Sequence, residues 1–496
     1  MELMTSPTKV DSAAAQLERL SCPYCGGAFV ATWMKGADST GILSCACGVT
    51  PVIDGIVWFE RRKNAVMRES PGREAALACL RAGDGGGARS QALLRSCRTR
   101  ATRLLTILER LELRVPQTLA QRLQTKVQRS VPGSPRLSFA EAAALLRNGP
   151  YAEYLYQRFA NPSLLASIPV MLLLKELCGS SRPRVLEIGG GVGHANFLMS
   201  RYFPEMDMVL TDGDFTNVYL ARRFVTPSST CLCVDAEARL PFADQSFDAV
   251  YCQDAFHYLS EKAGLVDELR RIVRPGGLWL FPHLHNALGH NRAAGFPLPP
   301  HDYARLFSFL DARIYPEMSL LEQFHRNQRL DLSRPADEQD LAAANTLTLI
   351  AGPKSLWRSH DLSGPFLRPD ADLAINPIYQ NRSTGGPLSW PNGGLREECL
   401  EAERFLPSSV NVDPGLLTRL KRQELAEGDL ATVHDLIRNF VLVPLPANYA
   451  PAQASSTTAS TPRSRSASLI SSLYTKFMIT TTSGLSDLSV CGEMIC

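Results

Sequence analysis

Long apolar runs are missing from this sequence. The best, Leu164 to Leu174, contains Pro169 and falls short of the roughly 18 residues a helix needs to span a bilayer, so no membrane span is expected. The opening MELMTSPTKV has no charged segment followed by an apolar one, and no secretory signal is expected from it. A charge excess is missing too. Over 496 residues, 52 Lys and Arg stand against 49 Asp and Glu, which excludes a chain-wide polyelectrolyte. Internal repeats are absent. So is a disulfide framework: the 13 cysteines are odd in number, with four near the N-terminus and nine scattered. That usage fits a reduced, cytoplasmic protein with a single metal site.

Charge is nevertheless unevenly placed. From Arg61 to Arg136 there are 17 Lys and Arg against 5 Asp and Glu, a local net of +12. The GDGGG stretch Gly83–Gly87 reads as a linker within it. Beyond that stretch, Leu104, Leu105, Leu108 and Leu111 recur at helical spacing among Arg98, Arg100, Arg103 and Arg110. An amphipathic helix with a solvated basic face explains the pattern; a phosphate-tracking surface is the sharper alternative.

Ser138 followed by Glu141 forms a capping-box signature that opens a helical region running to Leu177. From Val185 to Phe281, short apolar runs alternate with helical windows, the pattern of βαβ units and a parallel sheet. Residues 282–450 are Pro-rich and poorly periodic, and Asn381–Gly394 reads as loop. Residues 451–470 are Ser/Thr/Ala/Pro low complexity, expected to be disordered together with the last 26.

The strongest signal is Arg184-Val-Leu-Glu-Ile-Gly-Gly-Gly-Val-Gly-His194. A strand ends in Gly189, Gly191 and Gly193, then a helix begins. Such glycines permit positive φ and let a ligand approach the backbone. A glycine loop alone also suits nicotinamide enzymes. Here Glu187 sits inside the first strand, Asp212 closes the second and Asp235 the third. A Pro275-Gly276-Gly277 turn precedes the fifth. The acid inside the first strand and the Pro-Gly-Gly turn are not what a dinucleotide site requires.

These residues, with Leu240-Pro241-Phe242 and Ser246-Phe247-Asp248, resemble the class I S-adenosylmethionine-dependent methyltransferases. The resemblance covers about residues 164–281. It implies an α/β, doubly wound Rossmann-like sheet with S-adenosyl-L-methionine as cofactor. The glycine loop would pack on the methionine part of the cofactor, with Glu187 reaching into the crevice. Asp212 would take the ribose hydroxyls, and Asp235 with the Ala236 backbone the adenine edge. Gln253 and Asp254 would lie near the sulfonium. Residue by residue, Asp212 as a helix cap, Asp235 as a turn residue and Gln253 as a packing residue are the plainer alternatives. His283 and His285 follow the fifth strand one residue apart, so both could share a face and serve as bases for an acidic acceptor. Structural or incidental histidines are the plainer reading. Metal binding by the pair lacks a neighbouring carboxylate or cysteine in sequence.

Cys22-Pro-Tyr-Cys25 has C-x2-C spacing, and Cys45-Ala-Cys47 follows 19 residues later, one residue short of a second such knuckle. Two knuckles face to face make a tetrahedral thiolate site suited to Zn²⁺. With Pro51–Phe59, the segment resembles the zinc ribbons that activate methyltransferases or are fused to them.

The division expected is a zinc ribbon at 18–60, a basic helical linker region at 61–137, and a methyltransferase domain with helical cap at 138–335. An accessory region at 336–450 and a low-complexity tail at 451–496 follow. Tyr151, Tyr154, Tyr156, Arg158 and Phe159 are candidates to close over the cofactor. The activity implied is methyl transfer to a small-molecule or biosynthetic-intermediate acceptor. Two alternatives stand beside it. One is an RNA methyltransferase using the ribbon and basic helices; the other is a non-catalytic binding protein on the same scaffold. No pattern indicates the atom methylated or the oligomeric state.

Overall fold

Period-two alternation in the apolar runs sends successive side chains to opposite faces of a sheet. In the computed structural model Leu186, Val209, Val250, Trp279 and Leu349 pack into one core layer. Val185, Met208, Ala249, Leu278 and Ile350 pack into the other. Helix Lys262–Ile272 covers the first layer with Leu265, Val266 and Leu269. Helices Pro162–Met171, His194–Tyr202 and Phe215–Leu220 cover the second. The structure describes residues 19–34, 39–59, 72–94, 96, 137–147, 149–179, 182–291, 295–381, 387–390 and 400–451.

Twelve strands matter for the site. Four come first: β1 (Val30–Trp33), β2 (Gly41–Cys45), β3 (Gly48–Ile53) and β4 (Ile56–Trp58). Five follow the glycine signal: β5 (Arg184–Ile188), β6 (Asp207–Asp212), β7 (Thr230–Cys233), β8 (Phe247–Tyr251) and β9 (Val273–His285). Then come β10 (Ala312–Pro316), β11 (Arg329–Asp331) and β12 (Thr346–Ala351). All but β11 join one eleven-stranded sheet in the order β1-β2-β3-β4-β7-β6-β5-β8-β9-β12-β10. Pairings from β4 through β9 are parallel. β12 lies antiparallel between β9 and β10. The chain leaves β5 toward β6 and β7, then returns to β8 on the other side of β5. Ligands of doubly wound sheets bind at such a switch point, outside the carboxyl ends of the strands.

Three sequence expectations change here. Strand β12 comes from the region read as accessory, 336–450, yet it sits inside the sheet, because antiparallel pairing across long separations leaves no local pattern. The ribbon is not a detached module: Val57 pairs with Leu232 and Trp58 with Cys233. Trp58 stacks on Phe215 with ring centroids 4.3 Å apart. Gly83–Gly87 is not a linker. Helix Gly85–Leu94 starts within it, and the Gly87 N–H donates to the Asp84 carboxylate at 2.7 Å.

The capping box at Ser138 and Glu141 is present and opens helix Phe139–Leu146. The end of the described chain returns to this cap. The Tyr449 hydroxyl lies 2.7 Å from His194 Nε2 and 3.0 Å from the Leu155 carbonyl, and its ring stacks on Phe139 and Tyr156. The expected basic helix with Arg98, Arg100, Arg103 and Arg110 falls outside the described residues, as do the tail at 452–496 and much of 381–394. Among the described residues no helix is long and apolar enough to cross a membrane.

Candidate active site

The glycine loop bridges the end of β5 and helix His194–Tyr202. Gly189, Gly191 and Gly193 all adopt positive φ, at 66°, 54° and 85°. Their surroundings differ. A Cβ on Gly189 would meet Ala255 Cβ at 2.4 Å, and one on Gly193 would meet Thr226 at 2.9 Å, so both serve the fold's own packing. A Cβ on Gly191 would meet nothing within 4 Å. Its backbone faces open space.

Three acids ring this loop from adjacent strands. Glu187 lies in β5 opposite Leu210 of β6; Asp212 ends β6 opposite Cys233 of β7; Asp235 follows β7 by two residues. Asp212 Oδ2 accepts the Gly191 N–H at 2.9 Å, and its Oδ1 accepts the Asp214 N–H at 2.8 Å. Asp214, not Asp212, caps helix Phe215–Leu220. Asp235 is buried, and its Oδ1 accepts the Glu237 N–H at 3.0 Å, which holds the turn beside Ala236. Glu187 is buried with Oε2 lacking any hydrogen-bond partner. Burial, with the Asp212 charge nearby, pushes it up to about 8. A buried acid with one oxygen unsatisfied, next to an open glycine backbone, fits a ligand that brings a cationic amine. The sulfonium cofactor's amino-acid end has that chemistry.

Glu187 carries a consequence for stability. The native state binds its proton more tightly than the unfolded chain, so the folded form loses stability as pH rises from the ordinary carboxylate range to about 8. Glu187→Gln mimics the neutral form. Urea unfolding of the ligand-free protein should show the variant gaining on the wild type between pH 5.5 and 8.5, by on the order of a few kcal/mol at most. A gap that stays constant with pH would contradict the assignment.

A second polar cluster gathers Asp254, His257, His283, His285 and Glu317. Gln253, placed near the sulfonium by resemblance, is instead buried, with Nε2 donating to the Ser163 carbonyl at 3.1 Å. It ties the cap to the sheet. Arg158 of the cap donates to Asp254 Oδ2 at 3.0 Å, and Ser163 Oγ donates to the same oxygen at 3.1 Å. Tyr154 lies under the Arg158 guanidinium, while Phe159 is in the core.

The two candidate histidines are brought together, with ring centroids 5.3 Å apart, but not by regular alternation. β9 carries one extra residue against β12 near His283, whose φ is 59°. Their states are opposite. His283 Nδ1 meets Glu317 Oε2 at 2.7 Å, and Nε2 faces Asp254 Oδ1 at 3.7 Å. Burial disfavours the charged ring, but the two carboxylates outweigh it and push His283 up to about 9. The two carboxylates thus favour its protonated form at neutral pH, which suits it to hold a charge rather than to abstract a proton. Burial and the neighbouring His283 charge push His285 down to about 4, leaving it neutral. Asp254 is held at about 2: burial opposes its charge, and His283 and Arg158 overcome that. In Glu317→Gln, histidine NMR should find His283 titrating lower by about a unit or more. An unmoved titration would show that Glu317 does not hold it.

Glu317, 34 residues beyond His283, escaped the sequence reading, as did the pairing of Arg158 with Asp254. Neither sits in a motif; tertiary packing alone brings them in.

The four N-terminal cysteines also converge. Sulfur separations are 3.4 Å for Cys22–Cys47, 3.8 Å for Cys25–Cys45 and 3.2 Å for Cys45–Cys47. Four thiolates about 2.3 Å from one Zn²⁺ in a tetrahedron sit about 3.8 Å apart, so the set fits with small adjustment. The short second knuckle works because Ala46 and Cys47 form a two-residue hairpin loop between Cys45 and Gly48.

Residues 186–281 match the family model described as a methyltransferase domain. Over that span the chain is similar to methyltransferase domains. The chain is 30% identical over 127 residues to a malonyl-[acyl-carrier protein] O-methyltransferase of Methylococcus capsulatus, covering 25% of this chain and 43% of that protein. It is 36% identical over 101 residues to the ubiquinone/menaquinone biosynthesis C-methyltransferase UbiE of Cupriavidus necator, covering 19% and 40%. The chain thus spans less than half the length of these two relatives. The solved YcgJ protein of Bacillus subtilis is 19% identical, with a TM-score of 0.27, over 38% of this chain and 99% of that one.

Proposed function

We propose that the protein transfers a methyl group from S-adenosyl-L-methionine to a small-molecule or biosynthetic-intermediate acceptor. What carries this reading is the ring of Glu187, Asp212 and Asp235 around the open backbone of Gly191. The bound cofactor supplies an electrophilic methyl on a sulfonium. Asp212 would accept the ribose hydroxyls while keeping the loop in place through the Gly191 N–H. Asp235 and the Ala236 backbone would take the adenine edge, and Glu187 the amine. Methyl transfer needs mainly that donor and acceptor be held in line. The Arg158–Asp254 and Gln253–Ser163 links hold cap and sheet together over the acceptor side. His283, held charged by Glu317 and Asp254, would offer a positive charge to an acceptor oxygen, while His285, pushed down to about 4, is too weak a base to take its proton. The named relatives support a biosynthetic acceptor, one by its malonyl-[acyl-carrier protein] title, the other by its quinone-pathway title. The four thiolates would hold a structural Zn²⁺, since a closed four-sulfur set leaves no position for substrate.

The test is calorimetric titration with S-adenosyl-L-methionine, followed by assay of S-adenosylhomocysteine release with phenolic and enolic acceptors and with RNA. Saturable cofactor binding and turnover on a small acceptor are expected. No saturable binding overturns the reading, and turnover on RNA alone replaces its acceptor class.

A further inference from the structure

Three side chains from distant parts of the sequence meet beside the acceptor end of the crevice. Asp254 and His257 come from the loop after β8, and His285 from the end of β9. One ligand atom from each, a carboxylate oxygen and two ring nitrogens, lie within 4.8 Å of one another. His257 is fully buried, and neither of its ring nitrogens has a hydrogen-bond partner. Buried polar atoms are nearly always satisfied, so a fully orphaned imidazole calls for a ligand. His285 is buried as well, its ring stacked on His257 with centroids 3.6 Å apart and planes 8° from parallel.

We propose that Asp254, His257 and His285 bind a divalent first-row transition-metal ion. Two imidazoles and a carboxylate suit zinc or iron better than the hard ions magnesium and calcium, which prefer all-oxygen sets. Donors about 2.1 Å from one ion lie about 3 to 3.5 Å apart and each ring's lone pair lies in its plane, so the three atoms must close by about an ångström and the two rings must turn out of their parallel stack to aim at one ion. An outer shell already orients the carboxylate: Arg158 and Ser163 hold Asp254 Oδ2, and His283 faces Oδ1. The loop above is fitted to His257 as well. Gly295 lies so close that a Cβ there would come within 2.8 Å of the His257 carbonyl, and the Phe296 N–H donates to that carbonyl at 2.7 Å.

Three protein ligands leave coordination positions open. Ala255, between two of the ligands, abuts Gly189 of the glycine loop, so the cluster lies beside that loop. A hydroxyl or carbonyl oxygen of an acceptor would complete the set; this last point rests on the methyl-transfer reading, whereas metal binding itself does not.

The full chain, saturated with Zn²⁺ and desalted, is analysed for metal content beside His257→Phe and His285→Phe. Phenylalanine keeps the buried stacked ring and removes the nitrogens. The wild type should hold one more zinc per chain than either variant, and Cys22→Ser should leave that difference intact. Equal zinc in wild type and variants overturns the proposal. Thermal melts report whether each variant folds, and Asp254→Asn reads the same difference if a phenylalanine variant does not. Cofactor calorimetry on the wild type separates the two claims. Equal zinc with intact cofactor binding sinks only the metal site, and a zinc difference without cofactor binding sinks only the methyl-transfer reading.

Discussion

Asp212→Ala should lower the affinity for S-adenosyl-L-methionine by about a hundredfold or more. The carboxylate does two jobs at once. It fixes the loop by accepting the Gly191 and Asp214 N–H groups at 2.9 and 2.8 Å, one on each oxygen. By the reading above it also accepts ribose hydroxyls. Hydrogen bonds to a charged group contribute about 1.5 to 3 kcal/mol each, so losing two ligand bonds alone accounts for a hundredfold. Asp212→Asn should be little better. Its amide offers one acceptor and one donor, and the donor would face a backbone N–H on one side or the other. Calorimetry on both variants decides. Binding of either within threefold of wild type would remove Asp212 from the cofactor site.

If the cysteine cluster holds zinc as proposed, chelating it, or replacing Cys22 and Cys25 by serine, should lower the melting temperature by about 10 °C or more and weaken cofactor binding with it. Ile53, Ile56, Val57, Trp58 and Phe59 are all buried to 2% exposure or less, in core layers shared with the sheet. Each such side chain contributes about 1.5 to 3 kcal/mol by burial. The Phe59 N–H donates to the Cys233 carbonyl at 2.9 Å, one residue before the segment that leads to Asp235. A ribbon that unravels without its metal strips this cover from β7 and frees the turn beside the cofactor. Elemental analysis, melting curves and calorimetry on the same samples test it. Loss of zinc with unchanged melting and unchanged affinity would show that the ribbon does not support the site.

What the sequence made legible is what short-range chemistry determines. The Gly189–Gly193 loop, its flanking strand and helix, and the acids ending β6 and β7 lie within contiguous segments. So do Ser138 and Glu141, which satisfy each other across one helical turn. The rest depends on contacts that no local pattern encodes. Strand β12 is placed by apolar pairing with β9 some 65 residues earlier. Gln253 looked like a ligand contact because it follows a strand, but a cap carbonyl claims its amide. His283 and His285 looked like a simple pair. The extra residue in β9 and the arrival of Glu317 and Asp254 give the two rings opposite charge states. The GDGGG stretch misled through composition: Asp84 turns a glycine run into a helix start.

Strand β4 beside β7 has one more implication. The flank of a parallel sheet is where a separate subunit could add strands, and such a helper can be diluted away or exchanged. Here the chain's own first strands take that position, so their ratio to the rest of the sheet is fixed at one and does not vary with concentration. Among the described residues the outer edge of the sheet on this side is β1, with β2, β3 and β4 between it and β7.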